Sequence, residues 1–448
     1  MSNVNLRKIV YFAVLRLRGQ PLGPHYNRIV KEEINGIPAE TSKRLLIKLL
    51  THCERSVPYY RRLMKEMRGD FHENPEEFLK ELPILTKNLI RSHFDELKSA
   101  DLGRRHWYFN QTSGSTGEPL EFIQDWEFNV RAGAITLLFS KLLGRDIGDP
   151  EIHLWGSMSD IGRSVKKWIS RCVNKITNTV FLEAVLMTPE RMSEHIDTLN
   201  AKRPKLIISY SESIHELAIF AECKGLKVIP QKAIITSAAT LYPFMRERIE
   251  RVFGCKVFNR YGSREMGDIA CERPGCKGLW VAPWGNYVEI VDDKGNRVPD
   301  GEEGEILVTS LSNYAMPLVR YSIGDRGLLL PVSVNGEPYG QVFGGISGRD
   351  TDTFRGRGGL LIHAAYFGFM VYSKSWISQF QVVQKSPTWI VFRIVKSGAT
   401  YGPEELTDMI EKTKAVLGSE CKVEFDFVTE IPSGPSGKLR HLISEVRA

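Results

Sequence analysis

Thr112-Ser113-Gly114-Ser115-Thr116-Gly117-Glu118-Pro119 sets two glycines among four hydroxyl residues and closes on a proline. Glycine lets the backbone turn tightly and come close to a ligand. Successive backbone N–H groups and hydroxyls can then wrap a phosphate chain. Trp107-Tyr108-Phe109 before the run and Leu120-Glu121-Phe122-Ile123 after it read as extended segments, which makes the run a loop between strands. No lysine follows the last glycine, so it is not a P-loop. A polar surface turn has the same composition. The choice between the two rests on what else the chain carries.

The chain has 448 residues, 42% of them hydrophobic and 25% charged, the balance of a globular protein with room for two or three domains. A net charge of +7 suits anionic ligands. No basic run interleaved with aromatics and no zinc-finger or RNA-binding signature points to nucleic acid. Seven scattered cysteines do not form a disulfide framework and fit a reducing, cytoplasmic compartment. Near the start, Leu6 to Arg18 encloses a seven-residue apolar core between basic flanks, too short to span a bilayer. A helix of that kind packs on its own domain or, at most, makes peripheral membrane contact.

Residues 25–100 are dense in charge and read as helical, with Val57-Pro58-Tyr59-Tyr60 breaking the pattern. After the Ser/Thr/Gly loop, a helix is expected over Glu127–Leu143. Strands at Glu151–Gly156, Pro204–Tyr210, Lys232–Ser237 and Lys256–Arg260 then alternate with helices at Ser213–Lys224 and Tyr242–Phe253. This is the pattern of an α/β fold with a largely parallel sheet. From Val288 short strands separated by Gly, Asp and Pro predict a β-rich subdomain over about 280–347. Past the glycine-rich stretch Phe354–Gly359, helix Glu404–Leu417 and strand Cys421–Val428 predict a small α+β domain. We therefore expect a large N-terminal domain, 1–347, and a small separate C-terminal domain, 348–448.

Four clusters accompany the loop. Asn259-Arg260-Tyr261-Gly262-Ser263-Arg264-Glu265 follows an expected strand, where ligands of open α/β sheets bind. Tyr261 can stack on a base, and Glu265 can hold a Mg²⁺ that bridges phosphates. Asp325, expected after a turn, can accept hydrogen bonds from ribose hydroxyls. Gly348-Arg349-Asp350-Thr351-Asp352 offers a second cation, and Gly437-Lys438 presents a lysine on a Gly/Pro/Ser loop.

In this order the clusters resemble the adenylate-forming superfamily of acyl-CoA synthetases, luciferases and peptide-synthetase adenylation domains, over residues 40–445. Val57-Pro58-Tyr59-Tyr60 and Arg320-Tyr321 are similar to its phenylacetate–coenzyme A ligase branch, and within it to relatives associated with capsular or other surface polysaccharides. The resemblance implies that a carboxylate attacks the α-phosphate of ATP to give an acyl-adenylate. By the same resemblance, Thr112, Ser113, Gly114, Ser115, Thr116 and Gly117 hold the leaving phosphates. Asn259, Tyr261, Gly262 and Ser263 then line the nucleotide, Asp325 and Arg349 fix the ribose, and Glu265 binds Mg²⁺. Lys438, Glu265 and Thr116 are the implied catalytic residues. The small domain closes for adenylation and then moves to admit coenzyme A or a sugar or amine acceptor.

Two residues depart from the family. Arg264 stands where a threonine is usual, and Ala239 where a glutamate is usual after Ser237-Ala238. They leave open a catalytically decayed nucleotide-binding protein, alongside an adenylating acyl or aminoacyl transferase acting on a polysaccharide precursor or amine. Cys271 and Cys276 sit where some relatives bind structural zinc, but Trp280 stands at the expected histidine. Two thiols fall short of zinc's four ligands, so buried free cysteines are the expected reading. Trp155, Tyr210 and Phe181 could line an apolar acid pocket or simply fill the core. The small carboxylic acid itself is left open.

Overall fold

The computed structural model describes the chain apart from residues 1–4, 39, 113–119, 156–166, 185–186, 239, 335–336, 350–352, 357–360, 364–366, 368–369, 372–373, 375, 398–399, 432–440 and 447–448. It divides into two compact units, one of 1–113, 119–323 and 327–346, the other chiefly of 347–448, with 324–326 grouped with the second.

The first unit opens with helices α1 (Leu6–Leu17), α2 (Leu22–Asn35), α3 (Thr41–Ser56) and α4 (Pro58–Met64). Val57 is extended, as a residue before proline must be, and Pro58 starts α4 at a position that needs no N–H. Short helices α5 (Pro75–Glu81), α6 (Lys87–Ser92) and α7 (Phe94–Leu97) complete the charge-dense region. Strands β1 (Trp107–Gln111) and β2 (Glu121–Asp125) pair antiparallel, and the intervening 113–119 lie outside the described residues. Asp125 ends β2 and caps α8 (Trp126–Leu142), accepting from the Phe128 amide at 2.9 Å.

Next come β3 (Glu151–Trp155), α9 (Lys167–Thr177), β4 (Thr179–Glu183), α10 (Pro189–Lys202), β5 (Leu206–Tyr210), α11 (Ser211–Cys223), β6 (Ala233–Ser237), α12 (Pro243–Phe253) and β7 (Lys256–Ser263). The five strands pair in parallel in the order β4-β3-β5-β6-β7. The apolar runs of the central strands β5 and β6 are buried on both faces, as parallel strands under crossover helices are, while the edge strand β4 is only partly covered.

The sheet then changes character within a single strand. Residues 256–259 of β7 pair in parallel with β6, while residues 260–263 pair antiparallel with β8 (Gly267–Glu272). From there the sheet continues through β9 (Leu279–Val281), β13 (Glu337–Arg349), β12 (Tyr321–Val334), β11 (Gly304–Ser310) and β10 (Asn286–Val291). The described residues thus make one mixed sheet of eleven strands. A large core joins α3–α6 to β10–β12 through Leu46, Leu49, Phe78, Ile306, Val308 and Tyr321.

The second unit holds β14 (Thr353–Arg355) and β15 (Leu361–His363) as a small hairpin. Beside it lies a four-stranded sheet in the order β18 (Lys422–Phe427), β17 (Trp389–Lys396), β16 (Ile377–Ser386), β19 (Leu442–Ser444). Helix α13 (Pro403–Leu417) crosses between the parallel pair β17 and β18. Trp376, Phe380, Phe392 and Met409 form its core, and the buried Gln384 ties β16 to Arg355 and Ser444 through both ends of its amide.

The structure amends the expected elements in two places. The strand expected to stop at Arg260 runs to Ser263, so the Tyr261 motif is part of a strand and not a loop after it. The turn expected before Asp325 is likewise strand, because β12 begins at Tyr321 and runs on for 14 residues.

Candidate active site

The carboxyl ends of the parallel strands set the site. Since Thr236 of β6 is paired with Asn259 of β7, Tyr261-Gly262-Ser263 extends past the last residue of β6 into the crevice where α/β sheets bind ligands. Asn259 is held at this crossing by its amide, which donates to Glu272 at 2.8 Å, and Glu272 is clamped by Arg246 at 2.8 and 2.9 Å. Arg260 pairs with Asp268 at 3.3 Å, and Asp268 also accepts from the Thr136 hydroxyl at 2.7 Å.

Gly262 is a close-approach glycine: a Cβ there would lie 2.4 Å from the Gly267 carbonyl oxygen, on the facing strand. The turn Arg264-Glu265-Met266 joins the two strands. The Ser263 hydroxyl accepts from the Met266 amide at 3.2 Å, and the Asn286 side chain reaches the Met266 and Asp268 carbonyls at 3.2 and 3.3 Å. Tyr261 is half-buried, its ring edge-on to Phe343 at 5.6 Å.

Glu265 is buried, and its Oε1 accepts from the Tyr321 hydroxyl at 2.9 Å. The Arg264 side chain is exposed and makes no ion pair or hydrogen bond among the described residues. The two neighbours therefore part company: the acid is fixed inward, the cation left in solvent. From the other side, Gln124 of β2 donates to the Arg264 and Glu265 carbonyls at 2.8 and 3.3 Å. Its carbonyl oxygen accepts from Tyr108 and Asn110 of β1 at 3.0 and 2.9 Å. This one amide joins the hairpin carrying the Ser/Thr/Gly loop to the Glu265 turn.

Thr112 closes the neck of that loop. Its amide donates to the Leu120 carbonyl and its hydroxyl accepts from the Leu120 amide, both at 2.9 Å. Ser113, Gly114, Ser115, Thr116 and Gly117 lie outside the described residues, as do Ala239, Asp350 and Lys438. The Arg349 backbone ends β13, and its side chain is outside the description. Beyond the stretch holding Lys438, the His441 carbonyl accepts from the Val382 amide at 2.6 Å and β19 pairs with β16. Asp325 is half-buried, one residue after Gly324, whose φ of +84° gives β12 an irregular start.

Arg320 and Tyr321 have distinct duties. Arg320 is buried at φ +52°, a backbone conformation costly for a non-glycine residue. Its guanidinium is spent on structure: Glu289 at 3.2 Å and the carbonyls of Lys80, Leu82 and Gly295 at 3.0, 2.8 and 3.0 Å. Burial pushes the Glu289 carboxyl up, with Arg320 opposing. Tyr60, from the Val57-Pro58-Tyr59-Tyr60 phrase, donates to the Pro317 carbonyl and accepts from the Val319 amide, both at 3.1 Å. Both residues hold the segment that delivers Tyr321 to Glu265.

At the ends of β3 and β5, Trp155 and Tyr210 stack with centroids 4.0 Å apart. Phe181 is half exposed on the edge strand β4, against His153. Cys271 is fully buried on β8 opposite Trp280, and burial drives its thiol well above the usual range. Burial also raises the Cys276 thiol. Among the described residues no three His, Cys, Asp or Glu side chains cluster as a metal set. A Mg²⁺ on Glu265 would take its other ligands from phosphates and water, which is how this ion is usually held.

A cavity of about 260 Å³ lined by Lys48, Thr51, His52, Arg55, Arg105 and Tyr314 opens elsewhere, at the base of the β1–β2 hairpin. Arg105 there is engaged by Asp101, whose carboxyl its hydrogen bonds hold down to about 2, and by Asp125. It is not the site assembled around Glu265.

The sequence profile of the AMP-binding enzyme family matches residues 178–315, the stretch holding β5–β7 and the Glu265 turn. Over this stretch the chain is similar to enzymes of the adenylate-forming superfamily. The chain also matches the CapK C-terminal domain over residues 356–445. It is 24% identical to Protein CapK of Staphylococcus aureus across 94% of this chain and 93% of that one. Phenylacetate-coenzyme A ligase of Thermus thermophilus is 23% identical over 68% of each chain. In fold it is similar to 2-hydroxyisobutyryl-CoA ligase in complex with R3-HIB-AMP, with a TM-score of 0.69, 18% identity, and coverage of 91% of this chain and 90% of that one. No helix among the described residues is long and apolar enough to cross a membrane.

Proposed function

We propose that the protein activates a carboxylic acid with ATP, releasing pyrophosphate, and passes the acyl group from the adenylate to a thiol such as coenzyme A. One observation carries this reading. The Glu265 turn is held both by Gln124, on the hairpin that carries Thr112–Gly117, and by Tyr321, four residues before Asp325. Three stretches far apart in sequence are thus built as one assembly. Activation at phosphorus is mostly positioning and charge neutralisation. In this reading Glu265 holds Mg²⁺ on the phosphates, and Ser113, Ser115, Thr116 and Gly117 cradle the leaving pyrophosphate. Tyr261 stacks on adenine beside Asn259, Gly262 and Ser263, Asp325 and Arg349 fix the ribose, and Lys438 meets the charge that develops between carboxylate and α-phosphate. The Trp155–Tyr210 stack offers a flat apolar wall for the acyl part.

The inward-facing Glu265 and solvent-facing Arg264 support a working metal site over a decayed one, because the cation is not spent on the acid. A second reading keeps adenylation and replaces the thiol with an amine or sugar acceptor.

The test is carboxylate-dependent ATP–pyrophosphate exchange across a panel of acids, with Lys438→Ala beside the wild type. Exchange with one acid class, lost in the variant, is expected. ATP binding without exchange on any acid would overturn the adenylation reading. Release of acyl-CoA on adding coenzyme A separates the two acceptors.

A further inference from the structure

Helix α1 is built inside out. Its buried face is Leu15, with Tyr11 and Phe12 packed partly against the core beside Tyr26. Helical spacing puts Leu6, Ile9, Val10, Ala13 and Leu17 together on the opposite face. That face is exposed, at 68% for Leu6, 54% for Ile9, 38% for Val10 and 88% for Leu17. A surface helix ordinarily turns polar residues outward, and a contiguous exposed apolar patch marks an interaction site.

The charges say what the partner is. Between Asn5 and Arg18 there is no acidic residue, and Arg7, Lys8, Arg16 and Arg18 lie along the helix. Lys8 is spent on Asp146 at 3.2 Å, and Arg7 reaches the Lys175 carbonyl at 3.5 Å. Arg16 and Arg18, which border the apolar stripe, make no side-chain ion pair or hydrogen bond among the described residues. An apolar stripe edged by unpaired cations complements an anionic lipid surface, apolar side chains among the acyl chains and guanidinium groups at the headgroups. A second copy of the chain fits poorly, because a self-complementary contact across this face would offer Arg16 and Arg18 no acidic partner anywhere on the helix.

We propose that α1 docks the protein on an anionic membrane surface, lying in the interface with the Leu6–Leu17 stripe inward and Arg16 and Arg18 at the phosphates. No spanning segment is involved. The twelve residues of α1 are too short for that. The docking would hold the enzyme where an amphiphilic acid or a lipid-borne acceptor is concentrated.

The experiment is co-sedimentation of the full chain with phosphatidylcholine vesicles, with and without about one-third phosphatidylglycerol, at about 0.1 M salt. Partition onto the anionic vesicles is expected, falling steeply as salt rises. Ile9→Asp with Leu17→Asp, and separately Arg16→Glu with Arg18→Glu, should each weaken it at least about tenfold. Both double variants change exposed side chains, so ATP affinity and the thermal melt should stay at wild-type values, which separates lost docking from lost fold. Failure of the wild type to partition, equal partition onto neutral vesicles, or wild-type partition by both variants would overturn the proposal. So would a dimer, seen by light scattering, that the Ile9→Asp, Leu17→Asp chain no longer forms.

Discussion

The Tyr321 hydroxyl donates to the buried Glu265 carboxylate at 2.9 Å, joining a turn of the central sheet to the strand that carries Asp325. Tyr321→Phe keeps the ring in its core position and removes only the donor. A buried carboxylate deprived of a hydrogen bond costs about 1–3 kcal/mol. Carboxylate-dependent exchange should fall about tenfold, the equivalent of ~1.4 kcal/mol. If Glu265 is the metal ligand, the Mg²⁺ concentration giving half-maximal exchange should shift too. A titration of exchange against Mg²⁺ reads both.

Gln124 is expected to matter in proportion to what it joins. Gln124→Ala leaves the Arg264 carbonyl and the Asn110 amide without this partner, while the Tyr108 hydroxyl keeps Asn129 at 2.8 Å. Unfolding in urea should show a loss of about 1–3 kcal/mol. KM for ATP should rise further than stability alone explains, because the loop and the acid are no longer tied.

Arg320 makes a sharper case for structure over chemistry. Arg320→Lys supplies one ammonium where a planar fork served three carbonyls and the Glu289 carboxylate. A loss of about 1–3 kcal/mol is expected, the cost of buried carbonyls left without a donor. Removing both charges with Arg320→Met and Glu289→Met should cost less than the sum of the two single changes. Chemical denaturation of the four chains completes the cycle.

His215 makes stability pH-dependent. Its ring is buried on α11, Arg248 donates to Nε2 at 3.3 Å, and burial with that neighbour lowers its pKa from 6.5 to about 4. The unfolded chain therefore takes up a proton first as pH falls. The contribution is whole above pH 6.5 and is lost between 6.5 and about 4, amounting to about 3 kcal/mol. Melting temperature measured from pH 7 to pH 4 should fall less steeply in His215→Gln than in the wild type.

Much of this was legible beforehand. Apolar runs bounded by turn residues located β3, β5 and β6, and the Ser/Thr/Gly run with extended flanks located the β1–β2 connection. What escaped was whatever acts across the chain. Gln124 and Asn286 hold main-chain carbonyls 140 and 20 residues away, and local patterns record no such partners. A clue to Gln124 was present, a lone amide beside Phe122 and Ile123 in a strand buried from Phe122 to Asp125. Gly262 reads as a turn glycine, yet it is needed because a facing carbonyl leaves no room for a side chain. Arg320 enters the sequence reading only as part of the Arg320-Tyr321 phrase, and its work as a strut is recorded by no local pattern.

Strand β7 leads two lives, parallel to one neighbour over its first four residues and antiparallel to another over its last four. The scaffold and the site are therefore written on the same ribbon but proofread by different partners. A residue inserted after Asn259 would leave the parallel pairs intact while turning Tyr261 and Ser263 to the opposite face. Such a chain could fold, express and pass every test of integrity, and still have the residues proposed to meet the nucleotide facing the wrong way. For anyone transplanting specificity between relatives, the seam to respect is Asn259–Arg260, not the edge of the strand.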